Sequence, residues 1–84
     1  MNYMIYYAEK DGIRIELVKN GNEYLVDGSE PGVLIPRKSF FREGYTRYTD
    51  AEKVFKALCY GFEINNVEVV DHKDFDSFYR TVAD

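Results

Sequence analysis

The sequence predicts an α+β domain: an antiparallel sheet of three to four strands packed against one main helix, with a short helix at the C-terminus. Three observations lead there. Residues 12–26 read as two alternating segments joined by Asn20-Gly21-Asn22, a hairpin signal because those turn residues accept positive φ cheaply. Residues 49–62 carry a helix-start signature followed by apolar residues at three- and four-residue spacing. Glycine- and proline-marked turns separate these segments, with no repeat, low-complexity tract or linker, so one domain spans residues 1–84.

In chain order, Asn2 to Ala8 is an apolar, aromatic first strand, with Tyr3, Ile5 and Tyr7 on one face and Met4 and Tyr6 on the other. Asp11-Gly12 supplies a tight turn. A second strand runs from about Ile13 to Lys19, where Ile13, Ile15 and Leu17 alternate with Arg14, Glu16 and Val18. A third runs from Glu23 to Asp27. Gly28-Ser29-Glu30-Pro31-Gly32 reads as a loop. Val33-Leu34-Ile35 can form a short fourth strand, ended by Pro36. Arg37 to Tyr48 fits an irregular loop, a helical turn around Ser39–Arg42, or a hairpin across Glu43-Gly44. Thr49 and Glu52 have capping-box spacing, and the helix they open carries Ala51, Val54, Phe55, Leu58 and Phe62 toward the sheet, with Gly61 as its stop. Asn65-Asn66 marks a turn, and Val67, Val69 and Val70 read as a strand. A second helix begins at Asp71 or Asp74, with Phe75, Phe78, Tyr79 and Val82 on one face.

The composition, 45% hydrophobic and 17% aromatic, supplies a core and argues against disorder. One cysteine, Cys59, permits no intrachain disulfide, which fits a reducing cytosol. The first residues lack a basic segment followed by an apolar run, and no apolar stretch approaches the length of a membrane span. The expectation is a cytoplasmic chain. Net charge is −4, unevenly spread: a basic middle at residues 31–60 lies between two acidic flanks, a field able to steer a charged partner.

Catalytic signals are poor. The single histidine, His72, stands in an acidic turn beside Asp71 and Asp74, with too few His or Cys elsewhere for a zinc site. Cys59 adjoins the apolar stripe of the helix, a packing position. Ser29, Ser39 and Ser77 show no nucleophile-elbow spacing, and no glycine run resembles a phosphate loop. No catalytic residue, metal or cofactor is expected.

Two binding patterns stand out. Glu23, Glu63, Glu68, Asp71, Asp74 and Asp76 can lie along one edge, where spaced carboxylates imitate phosphates and occupy a basic groove. Arg37, Lys38, Arg42 and Arg47 interleave with Phe40, Phe41, Tyr45 and Tyr48, the cations and stacking faces that hold single-stranded nucleic acid.

The stretch Asn20-Gly21-Asn22-Glu23-Tyr24-Leu25-Val26, with the later Tyr60-Gly61-Phe62 and Asp74-Phe75-Asp76-Ser77-Phe78-Tyr79, resembles parts of the small acidic phage anti-CRISPR inhibitors of the type II-A class. That resemblance implies a single α+β domain that occupies the DNA-recognition site of a CRISPR guide-RNA nuclease. It also implies that Asn22, Glu23 and the acids near Glu68 and Asp71 touch the partner. The expected function is therefore a non-enzymatic phage or mobile-element inhibitor in the host cell cytosol. Its partner would be a nucleic-acid-binding nuclease complex, met through an acidic surface. The alternative is a small nucleic-acid-binding or regulatory module using residues 37–48. Pairing of an open first-strand edge, Tyr3 to Ala8, with a second copy is a third possibility.

Overall fold

The computed structural model describes residues 2–69. Five strands and one helix follow in the order β1 (Asn2–Lys10), β2 (Ile13–Asn20), β3 (Glu23–Pro31), β4 (Arg37–Tyr45), α1 (Tyr48–Gly61) and β5 (Val67–Val69). All pairings are antiparallel, and the sheet order is β4-β3-β2-β1-β5. The expected α+β class holds, with more strands than expected. The second, C-terminal helix lies outside the described residues.

Two tight turns set the register. Asp11 and Gly12 both take positive φ, 52° and 86°, as a type I′ turn requires, and Lys10 faces Ile13. Gly21 alone is positive at 63° in the second turn, the type II′ pattern, and Asn20 faces Glu23. Both turns match the natural twist of paired strands, so these three strands form a continuous meander.

The expected fourth strand at Val33–Ile35 is instead the tip of the β3–β4 hairpin. There Gly32 N–H donates to the Pro36 carbonyl at 3.3 Å and Val33 and Leu34 stand almost wholly exposed. The strand is Arg37–Tyr45, and it draws β3 on through the expected loop to Pro31. A glycine leaves a gap in a strand unless a neighbour fills the space its missing side chain would take. Here the Phe40 ring lies over it, 2.8 Å from where a Cβ would stand.

Each outer strand of the first four carries a bulge. The β1–β2 register shifts between Met4 and Tyr6, and the β3–β4 register shifts where Ser39 and Phe41 face Ser29 and Gly28. A bulge turns two successive residues toward one side. Ile5 and Tyr6 thus both face the helix, against the expected alternation. Ile5 is buried, and the Tyr6 ring lies 5.4 Å from that of Phe55.

Helix α1 lays Ala51, Phe55 and Cys59 onto Ile5, Ala8, Ile15, Leu17, Tyr24 and Val26 of the sheet. Removing this apolar surface from water is the main favourable term of the fold. The expected capping box is absent: Arg47 is the N-cap, without a side-chain cap bond, and Thr49 lies inside the helix. Glu52 turns to the core edge instead. Its Oε2 accepts from Tyr48 Oη at 2.8 Å and from Tyr6 Oη at 3.2 Å. Gly61 is the last helical residue but not the stop. Glu63 takes the left-handed conformation at φ 56°, its N–H donates to the Tyr60 carbonyl, and Ile64 N–H donates to that of Cys59 at 2.8 Å. This is a Schellman ending built without glycine. Phe62, expected on the buried stripe, lies beyond the helix and packs on Phe40 with ring centroids 5.2 Å apart.

The valine run forms β5 as expected, and it pairs with Tyr6–Ala8 of β1. The first-strand edge expected to be open is therefore occupied along those residues.

Candidate functional site

The register carries a row of polar side chains across the far face of the sheet, opposite α1. Glu68 of β5 faces Tyr7 of β1, Tyr7 faces Glu16 of β2, Glu16 faces Asp27 of β3, and Asp27 faces Arg42 of β4. Directly opposed residues share a side, so these five side chains cross all five strands. The next row holds Glu9, Arg14, Ser29 and Ser39. On the other flank Met4, Val18 and Leu25 form an apolar row. Beyond it, Glu23 joins the same face: its carboxylate fills the space a side chain on Gly44 would need.

Some of these charges are held by partners. Asp27, largely buried, accepts from Arg42 at 2.8 Å and from Ser39 Oγ at 3.0 Å. The Arg42 side chain is still 62% exposed. Arg37 donates through Nε to Ser29 Oγ at 3.0 Å, and its terminal nitrogen reaches the Ser29 and Gly12 carbonyls. Arg14 pairs with Glu9 at 3.2 Å and spreads over the Tyr7 ring at 5.6 Å. Glu16 sits among them at a cost. Burial pushes its carboxyl pKa up, Asp27 pushes it further, and Arg14 and Arg37 pull it back. Glu9 and Glu68 meet Tyr7 and Asn66 at a shallow cleft of about 250 Å³ along the β1–β5 edge.

Of the acids expected to bind, Glu23 and Glu68 share this far face. Asn22 lies exposed in the turn beside Glu23. Glu63 does not join them. It ends the helix turn beside β1, where Lys10 Nζ donates to its carbonyl at 2.9 Å, and α1 separates it from the Glu23 end by about 20 Å. Asp71, Asp74, Asp76 and His72 lie outside the described residues.

The basic-aromatic set falls on β4 and its exit, and the strand divides it. Arg37 and Arg42 lie on the far face, as their bonds to Ser29 and Asp27 require. Phe40 and Tyr45 turn to the helix side, where Phe40 meets Phe62 and Tyr45 packs on the core. Lys38 alternates onto that side too, and Arg47 is exposed at the helix start. The cations of the far face and the aromatic rings thus stand on opposite surfaces.

Comparison with protein-family models, with curated proteins and with solved structures finds no match to this chain.

Glu9, Glu16, Asp27 and Tyr7 were not singled out by motif. The signal for them was present in the turns: once Asn20 faces Glu23, Glu16 must face Asp27, and once Lys10 faces Ile13, Tyr7 must face Glu16. Cys59 is buried, and burial pushes its thiol pKa up, which keeps it protonated and unreactive. Among the described residues no three His, Cys, Asp or Glu side chains converge on a metal position, and no helix is long and apolar enough to cross a membrane.

Proposed function

We propose that this chain is a non-enzymatic inhibitor of phage or mobile-element type, which docks its far sheet face on the basic, nucleic-acid-binding groove of a host protein. A CRISPR guide-RNA nuclease fits that description. One observation carries the reading: Glu9, Glu16, Glu23 and Glu68 lie on one surface of the sheet around the largely buried Asp27, and these five acids outnumber Arg14, Arg37 and Arg42 on that face. Strands are spaced about 4.8 Å apart, so Glu68 and Glu16 stand about 10 Å apart across the row. Such an array presents net negative charge at a spacing set by the strands, and it attracts a basic groove over a range set by salt. Tyr7, between Glu68 and Glu16 in the row, adds the ring surface that interfaces favour. Inhibition follows from occupancy, with no bond made or broken.

The test is competition. The purified chain is mixed with candidate guide-RNA nucleases and the retained DNA binding is measured. The expected result is loss of DNA binding with the natural chain and its recovery with Glu23→Lys and Glu68→Lys combined. Equal inhibition by the doubly reversed variant sinks the mechanism.

A further inference from the structure

We propose that β4 pairs with β4 of a second copy, antiparallel about a two-fold axis between Phe40 and Phe41, to make one continuous ten-stranded sheet. β4 is an edge strand of nine residues and, among the described residues, no strand lies along its outer side. Charges and bulges on an edge ordinarily block such addition. Here both features favour it.

The bulge fixes the register. Along β4, Arg37, Ser39, Arg42 and Gly44 point to the far face, whereas Lys38, Phe40, Phe41, Glu43 and Tyr45 point to the helix side. A strand lies flat against its copy only if opposed residues share a side. Centring the pair on Phe41 sets Phe40 against Arg42, on opposite sides, and centring it on Phe40 sets Ser39 against Phe41, with the same fault. Centring it between the two residues matches every pair: Phe40 with Phe41, Ser39 with Arg42, Lys38 with Glu43, and Arg37 with Gly44.

The chemistry of that register is self-complementary. Lys38 and Glu43, both exposed, meet as opposite charges twice per dimer. Arg42, whose side chain is largely exposed, meets the hydroxyl of Ser39. Phe40, 38% exposed, is covered by Phe41 of the copy. Cross-strand pairs of these kinds are the stabilising units of a sheet. The far-face row then continues from Arg42 into Ser39 of the copy, and both acidic faces lie on the same side of the joined sheet.

Sedimentation velocity of the full chain tests this pairing between about 1 μM and about 1 mM, the range in which a small interface dissociates. The mass is expected to rise from one chain to two. Lys38→Glu and Glu43→Lys, made singly, each turn two attractive pairs into repulsive ones and weaken the dimer about tenfold. Made together they exchange the charges and restore it. A single-chain mass at the highest concentration overturns the proposal, and so does a dimer indifferent to either single reversal. Glu68→Lys alone, on β5 at the opposite margin of the sheet, leaves the dimer intact, which separates this inference from the proposed inhibition.

Discussion

Glu16 and Asp27 face each other directly across β2 and β3, two carboxylates in register on the far face of the sheet. The pair is tolerated because Asp27 is held by Arg42 and Ser39, which leaves the strain on Glu16. Its carboxyl pKa is raised, first by burial and then by Asp27. A raised folded-state pKa means that the fold favours the protonated form. Its stabilising contribution is complete below the ordinary carboxylate range and is lost as pH rises through the raised value. Glu16→Gln is therefore expected to stabilise the protein at about pH 7, by about a few tenths of a kcal/mol because solvent and the arginines screen a half-buried carboxylate, and to lose that advantage at about pH 3. Urea unfolding at both pH values checks it; an equal difference at the two contradicts the assignment.

Glu63 occupies a left-handed backbone position at the helix end. A side chain there costs about 1 kcal/mol relative to glycine. Because its carbonyl, not its carboxylate, receives Lys10, Glu63→Gly keeps that contact and is expected to raise stability by up to about 1 kcal/mol. A thermal melt reads the gain, and a fall in Tm refutes it.

Phe55 is 1% exposed and packs on Tyr6 at the centre of the helix–sheet contact. Phe55→Ala is expected to cost about 3–5 kcal/mol, a large share of the stability of a small domain. Denaturant unfolding should show a midpoint shifted far down or no folded baseline.

Cys59 lies 4% exposed beneath the helix. Iodoacetamide is expected to label it only through opening of the helix–sheet contact, so labelling should be slow in the folded protein and rapid in urea. Fast labelling without denaturant would contradict its placement.

The hairpin tip behaves oppositely. Val33 and Leu34 are 99% and 96% exposed, so Val33→Ser and Leu34→Ser together should leave unfolding free energy within about 0.5 kcal/mol of the natural chain. A larger loss means that the tip packs against something.

The meander was legible because Asp11-Gly12 and Asn20-Gly21-Asn22 announce their turns and Ile13, Ile15 and Leu17 alternate without interruption. The helix was legible through Ala51, Phe55 and their spacing. β4 was not, because the bulge at Phe40-Phe41 breaks the alternation by which a strand is read, and Gly28 and Pro31 signal a loop until Phe40 is known to cover Gly28. The bulge at Ile5-Tyr6 hid the inward turn of Tyr6 in the same way. At the helix start, Thr49 and Glu52 have capping spacing. The hydroxyls of Tyr6 and Tyr48 compete for the Glu52 carboxylate, and a residue as distant as Tyr6 is invisible to a local motif. The candidate face was half legible. Glu23 and Glu68 emerged from charge pattern, whereas Glu16 and Asp27 become a pair only when register joins them.

Among the described residues β5 holds three, yet its position matters for what the molecule avoids. It covers Tyr6–Ala8 of β1, so a further chain cannot template upon that stretch of the margin. A molecule with one long receptive margin closes after a single partner, whereas one with two would polymerise without limit.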